Sequence, residues 1–447
     1  MHVKKIIALI AILEISNQIL LGFELPKYTA LLSYFLHEND LLITVFTSEG
    51  FQTLRRIPLE RDEFLDSLNA FETRVSCPAD PQREDSEILE IKVIGTALYN
   101  LLLGPVEEYL TEVKHLVIVP TGPLTTLPFA ALFRPNKDDP GSGDYLIERF
   151  SLSYLPSILC RSKSSFSLFE KVFIVNFANF GPSEMHIVEE THKLFPKATK
   201  VNDVLSLKKY LKTEDFIDVL HIFGGKVFIG ARESWAPIYS SDQGTFSLTD
   251  LLESKAYIDL LIFSDSFESS GEEALLYAIE ILLAARINTI ICPINPCSNP
   301  SASNDLFLYF YQCLTNGYTK AEALQAAQRE VLKNHPHPFF WANFVLYGDW
   351  QGKMLSCLSK LDYNLYQLFV NWQHKPSDPP PILEVLLTFS HPISEQDLKS
   401  LQSVSPFIHV LGSFGAFVIA RVPIPLLKEV AQLPEVRSIS EVPEIIP

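Results

Sequence analysis

The chain reads as an α/β protein, a mostly parallel sheet flanked by helices, followed by a small α+β unit. Short, fully apolar runs such as Leu116 to Val119 and Leu260 to Phe263 alternate with segments of helical periodicity. That is the pattern of strands covered on both faces by crossover helices. A proline-dense stretch, His374 to Pro381, then breaks the pattern, because prolines withdraw backbone donors and no helix continues through them. Beyond it the elements run strand, helix, strand, strand, helix, strand.

From Ala30 the residues suggest a short helix. Leu41 to Thr47 and Gln52 to Ile57 flank a Ser48-Glu49-Gly50 turn and predict a hairpin. Helices are expected over Glu60 to Val75 and Asp85 to Leu103, and a strand over Leu116 to Val119 stopping at Pro120-Thr121-Gly122-Pro123. The alternation continues with strand Val172 to Asn176, helices Glu184 to Phe195 and Leu205 to Tyr210, strands Asp218 to Phe223 and Ile258 to Phe263, helix Glu272 to Ala285 and strand Thr289 to Cys292. Helices Asn304 to Thr315 and Thr319 to Asn334 and a strand within Phe339 to Tyr347 close this body. After the break, Leu383 to Phe389, a Ser394-capped helix Glu395 to Ser403, Ile408 to Leu411, Ala416 to Val422, helix Leu426 to Leu433 and Val436 to Ile439 give βαββαβ, the order of a ferredoxin-like sandwich.

A length of 447 residues allows two or three domains, and 36 Lys plus Arg against 53 Asp plus Glu leaves −17. Such a charge opposes binding to nucleic-acid phosphates, and none is expected. The six cysteines, Cys77, Cys160, Cys292, Cys297, Cys313 and Cys357, form no CxxC pair and have no histidines at zinc-ligand spacing, so reduced structural thiols are expected, with no metal and no cofactor. At the N-terminus, Lys4-Lys5 and Ile6 to Leu13 resemble a secretory signal, but Glu14, Asn17 and Gln18 interrupt the run. Ile6, Leu9, Ile10, Leu13 and Leu20 instead fall at helical spacing. The expected organisation is an N-terminal helix over 1–24, the α/β body over 25–355, a helix and linker over 356–381 and the small unit over 382–447, in a cytoplasmic protein without a membrane span.

Val117-Ile118-Val119-Pro120-Thr121-Gly122-Pro123-Leu124-Thr125-Thr126-Leu127-Pro128-Phe129 resembles the CHAT domain, a caspase-like relative of separase-type cysteine peptidases. Tyr145 to Phe150 with Ser153 to Ser157, Glu322 to Gln328, and the ending His337 to Asp349 are similar to later blocks of the same family. The resemblance implies a caspase-like sheet from about Leu25 to Trp350. It also implies where chemistry would sit, since the family's catalytic histidine lies in a motif like LHxATHG and its cysteine in one like LSACxTG. Here these read Leu220-His221-Ile222-Phe223-Gly224-Gly225-Lys226 and Phe263-Ser264-Asp265-Ser266, so Gly225 stands at the base and Ser266 at the nucleophile. An Asp and a His common in the family's VPDGPLHxLPF stretch are Thr121 and Thr125.

No catalytic residue is therefore expected. A hydroxyl without a base is a poor nucleophile, and His221, four residues before Gly225, lies about 13 Å deeper at about 3.3 Å per strand residue. His221, Gly224, Lys226, Asp265 and Glu268 remain as a candidate cleft for a peptide, with Glu272 and Glu273 adding acidity. The alternative is an active peptidase using Ser266, or a displaced cysteine such as Cys292 or Cys297, with His221, His335 or His337 as base. The small C-terminal unit resembles the propeptide-type inhibitor domain of subtilisin-like proteases, through Leu383 to Leu387, Gly415 to Ala420 and Leu433 to Ile439. That resemblance implies a product-like tail, Glu441-Val442-Pro443-Glu444-Ile445-Ile446-Pro447. Together they imply a catalytically inactive, protein-binding regulator, inhibiting or escorting a subtilisin-like protease in bacterial stress or antiphage signalling.

Overall fold

The computed structural model describes residues 25–447 except 79, 137–138, 140–141, 158–165, 168–170, 178–188, 196, 224–226, 230–238, 242–243, 265–266, 270–271, 296–299, 355–360, 363–364, 366–367, 370–371, 373–376, 378, 434 and 443–447. The expected N-terminal helix and most of the linker therefore lie outside the described residues. The chain divides into two units, the larger ending at Gly352 and the smaller consisting mainly of residues from Lys353 onward. Among the described residues no single helix is long and apolar enough to cross a membrane.

The larger unit is built on an eleven-stranded sheet. In chain order its strands are β1 (Thr29–His37), β2 (Asp40–Thr47), β3 (Gly50–Pro58), β4 (His115–Val119), β5 (Ser151–Tyr154), β6 (Val172–Asn176), β7 (Thr199–Val201), β8 (Phe216–Phe223), β9 (Tyr257–Phe263), β10 (Ile287–Pro293) and β11 (Phe344–Gly348). Across the sheet they lie in the order β7-β6-β8-β9-β10-β11-β5-β4-β1-β2-β3. Neighbours are parallel except in the β1/β2 and β2/β3 hairpins and between β10 and β11. The apolar runs have a simple cause: all five residues of β4 and all seven of β10 are buried, so neither face needs polar side chains. Flanking helices are α1 (Arg61–Ser76), α2 (Glu84–Leu102), α3 (Val204–Thr213), α4 (Glu272–Ala284), α5 (Pro300–Thr315) and α6 (Lys320–Asn334).

Two expectations change. Residues from Ala30 form β1, not a helix; it lies between β2 and β4, and its first four residues are buried, so the apolar run reflects two covered faces rather than a helical stripe. The segment from Phe339 is strand only from Phe344, because Pro338–Phe340 forms a single 3-10 turn whose first amides His337 helps satisfy.

The smaller unit has β12 (Ile382–Phe389), α7 (Glu395–Val404), β13 (His409–Phe414), β14 (Phe417–Pro423), α8 (Leu427–Gln432) and β15 (Val436–Glu441). Its antiparallel sheet has the order β13-β14-β12-β15, which is the ferredoxin-like arrangement. Ser394 caps α7 by accepting from Asp397 N (3.3 Å), while the Asp397 carboxylate accepts from Ser394 N (2.8 Å). Val385, Leu387, Phe389, Val418, Ala420 and Val422 turn inward onto Leu401, Leu427 and Val430.

At the amino ends of β9 and β10, the Lys320 ammonium is fully buried. It donates to Asp259 Oδ1 (2.9 Å) and Thr289 Oγ1 (2.8 Å), and lies 3.7 Å from Asp349 Oδ2. Asn288 Nδ2 donates to both carboxylates, and the second Asp349 oxygen accepts from Gln351 N and Gly352 N. A Cβ on Gly352 would collide with the Asp349 carboxylate and crowd Lys320 Nζ, so the chain must pass without a side chain there. Removing the cation strands two buried carboxylates, and Lys320→Met should cost about 3–5 kcal/mol of unfolding free energy in urea. A loss under about 1 kcal/mol would contradict this account.

His115 is also buried, with Nδ1 at 2.8 Å from Ser151 Oγ, Nε2 at 2.8 Å from Ser153 Oγ and the ring stacked on Trp350. Burial lowers its pKa from 6.5 to about 3, so the native state refuses a proton that the unfolded chain accepts. This contribution to stability is intact above pH 6.5 and is lost as pH falls toward 3. Between pH 7 and pH 5 it amounts to about 2 kcal/mol. The stability difference between the native protein and His115→Gln should shift by that amount across the interval; a pH-independent difference would exclude it.

Candidate functional site

β8 and β9 run side by side in parallel, with Leu220 opposite Leu261, His221 opposite Ile262 and Ile222 opposite Phe263. Each strand then leaves the sheet, and the two segments pair again just beyond, Val227–Ile229 against Phe267–Ser269, also in parallel. The segments flanking the two turns are thus neighbours before and after them, as a two-residue site would need. Sequence reading missed this second pairing, because three-residue ribbons have no periodicity of their own. Gly224, Gly225, Lys226, Asp265 and Ser266 lie outside the described residues, while Glu268 lies in the second ribbon strand.

His221 points into the body. It is fully buried, its Nδ1 is 2.7 Å from Tyr311 Oη and its Nε2 is 3.2 Å from Ser264 Oγ. Ser264 Oγ also donates to Ile222 O (3.2 Å), which commits its proton. Nε2 must then carry the imidazole proton and donate to Ser264, leaving Nδ1 to accept from Tyr311. The ring stacks on Phe223 at 3.8 Å between centroids and meets Phe307 edge-on at 4.7 Å. Burial holds its pKa well below the ordinary value and that of Tyr311 well above, so both stay neutral. A serine beside an imidazole looks like a nucleophile and base, but Nε2 already carries its proton and Ser264 is only 5% exposed. The three groups brace α5 against the ends of β8 and β9.

Of the other candidates, Cys292 and His337 are also buried, while His335 is half-buried. Cys292 is buried in β10, and burial pushes its thiol far above the ordinary value, away from the reactive thiolate. His337 is buried, accepts from Phe339 N at 3.2 Å and has its pKa lowered by burial. His335 packs its ring on Phe340 at 4.9 Å. Cys297 lies outside the described residues, as do Pro443 to Pro447 of the tail. Glu441 ends β15, where its amide donates to Asp362 Oδ2 (2.7 Å), and Val442 follows it.

The loop after β4 reaches the turn that follows β10, since Asn295 Nδ2 donates to Thr126 O (3.2 Å) and Asn343 Oδ1 (3.3 Å). It therefore arrives at the end of the sheet where β8, β9 and β10 finish. There the Thr125 hydroxyl donates to Gly122 O (2.6 Å) and the Thr121 hydroxyl to Tyr34 O (2.9 Å). Both side chains tie down their own loop. Among the described residues no group of three His, Cys, Asp or Glu side chains could hold a metal ion.

Two solved structures of the Saccharomyces cerevisiae separase-securin complex are similar to this chain at 9% identity. One, at 3.0 angstrom resolution, has a TM-score of 0.48 over 74% of this chain and 30% of the solved chain. The other, at 2.6 angstrom, has 0.45 over 72% and 30%. The chain thus spans under a third of the length of those solved chains. No curated protein matches it. The family model described as "CHAT domain" matches residues 92–349, more than half of the sequence. The chain belongs to the CHAT domain family.

Proposed function

We propose that this is a catalytically inactive, caspase-like CHAT protein that works by binding a protein partner, with the β8 and β9 turns as its recognition cleft. The observation that supports the reading is the parallel pairing of the segments on both sides of those turns, at the positions where the family resemblance expects base and nucleophile and the sequence has Gly225 and Ser266. His221 cannot substitute as base, because both ring nitrogens are occupied by Tyr311 and Ser264. Binding a peptide needs the shape of the cleft and its acidic surroundings, not a proton shuttle.

The smaller unit supplies the candidate partner. Its ferredoxin-like sheet and its resemblance to inhibitor propeptides favour a subtilisin-like serine protease, restrained or escorted through the tail that follows β15. A role in bacterial stress or antiphage signalling fits such a regulator.

Two experiments bear on this. Gly225→His combined with Ser266→Cys should leave peptide turnover near background, because Lys226, Thr121 and Thr125 also depart from the family pattern; fast turnover of peptide substrates by that double variant would contradict the reading. Deleting Val442 to Pro447 should abolish inhibition of a subtilisin-like protease from the same host while circular dichroism stays unchanged. Equal inhibition by the truncated chain would remove the tail from the mechanism.

A further inference from the structure

Among the described residues, the edges of the two larger sheets are guarded in three cases and open in one. On the large sheet, β7 is only three residues long and carries Lys200, while β3 carries Arg55, Arg56 and Pro58. On the small sheet, β15 is bridged by Leu361 against Ile439, with Asp362 N donating to Ile439 O (2.8 Å). The remaining edge is β13, His-Val-Leu-Gly-Ser-Phe, with no Lys, Arg, Asp, Glu or Pro. Unguarded edge strands are templates for another strand, and soluble proteins normally blunt them. The face beside this edge is apolar as well: Phe414 is 87% exposed, Leu411 49%, Phe417 46% and Ile419 36%.

We propose that β13 pairs antiparallel with β13 of a second copy of this chain, making a two-fold dimer with a continuous eight-stranded sheet. The pairing that fits sets His409 opposite the other copy's Phe414, Val410 opposite Ser413 and Leu411 opposite Gly412. In this register Val410 and Leu411 meet the small Ser413 and Gly412, while the His409 and Phe414 rings face each other at the ends. A Cβ on Gly412 would meet nothing within 4 Å, so an open slot waits for the Leu411 of the other copy.

The faces agree too. Side chains directly opposite each other must lie on one face of a sheet, yet 409 and 414 differ by an odd number and would lie on opposite faces of a regular strand. The register shift between Val410 and Gly412 removes that conflict. His409 pairs with Arg421 and Phe414 with Phe417, both on the exposed face, while Val410 and Ser413 pair with the buried Ala420 and Val418. The bulge, which elsewhere deters edge pairing, here makes this strand self-complementary.

Charge favours a second copy over an acidic or basic partner. The chain carries −17, but the strand is uncharged and the nearest charges on the face, Arg421 and Glu384, neutralise each other at 2.8 Å. The four exposed side chains offer well under the roughly 800 Å² per partner of a standard interface, so the dimer is a weak one, with dissociation in the micromolar range.

Sedimentation velocity on the full chain, from about 1 to about 200 μM, tests this. A reversible monomer-dimer equilibrium is expected, with hydrogen exchange at residues 409–414 slowing as concentration rises. Gly412→Glu has room in the monomer and should leave thermal unfolding unchanged while weakening the dimer at least about tenfold. A chain that stays monomeric throughout, or a dimer that Gly412→Glu leaves intact, or one without protection at 409–414, would overturn the proposal.

Discussion

One buried ammonium fixes the larger unit. Lys320 binds Asp259 at the start of β9 and Thr289 at the start of β10, and lies beside Asp349 just past the end of β11. It therefore sits where the sheet changes polarity, since β10 and β11 are antiparallel while β8, β9 and β10 are parallel. Two carboxylates and one cation inside a protein are costly to dehydrate, and the cost is tolerable only when the remaining lone pairs find donors. Asn288, Gln351 N and Gly352 N are among those donors. The arrangement sets the level at which β9 and β10 begin, and hence where they end. Trp350, the residue after Asp349, extends the anchor by stacking on His115 of β4 (5.4 Å, 11° between planes).

The candidate cleft lies at the other end of the same strands. That separation has a consequence for how such a protein changes. The ion cluster sits at the starts of β9 and β10, while the ends of β8 and β9 are held by Tyr311, Ser264 and the aromatic packing around His221. Chemistry can be lost at one end without unfolding the other. On the proposed reading this allows a CHAT scaffold to keep its recognition geometry after its base and nucleophile positions become Gly225 and Ser266.

Most strands and helices were legible because burial and periodicity coincide. Val172 to Asn176 is predicted and found with the same bounds, and the Ser394 cap and the βαββαβ order of the smaller unit follow from local signals. β1 was not legible, since an apolar run of this length fits a buried helix as well as a strand covered on two faces. β5 hid for a different reason: Ser151 and Ser153 look like loop residues until His115 is placed between them. Lys320 gave no sign of its burial, because a lysine at a helix start ordinarily faces water. In the site, the strands ending at Phe223 and Phe263 were readable, but the inward turn of His221 depends on Tyr311, ninety residues away.

The two enclosed histidines show why residue type alone misleads near such a site. His115 and His221 each have a hydroxyl on both ring nitrogens, each stack on an aromatic ring, and each are held neutral by burial. One belongs to β4, and the other lies four residues from Gly225, the position where the family resemblance implies a base. Their environments are nevertheless alike. A neutral imidazole is a flat apolar plate with one donor and one acceptor, well suited to join two hydroxyls across a tightly packed core. The His221 arrangement is thus one that this fold uses twice, and nearness to Ser264 is not by itself the sign of a catalytic pair.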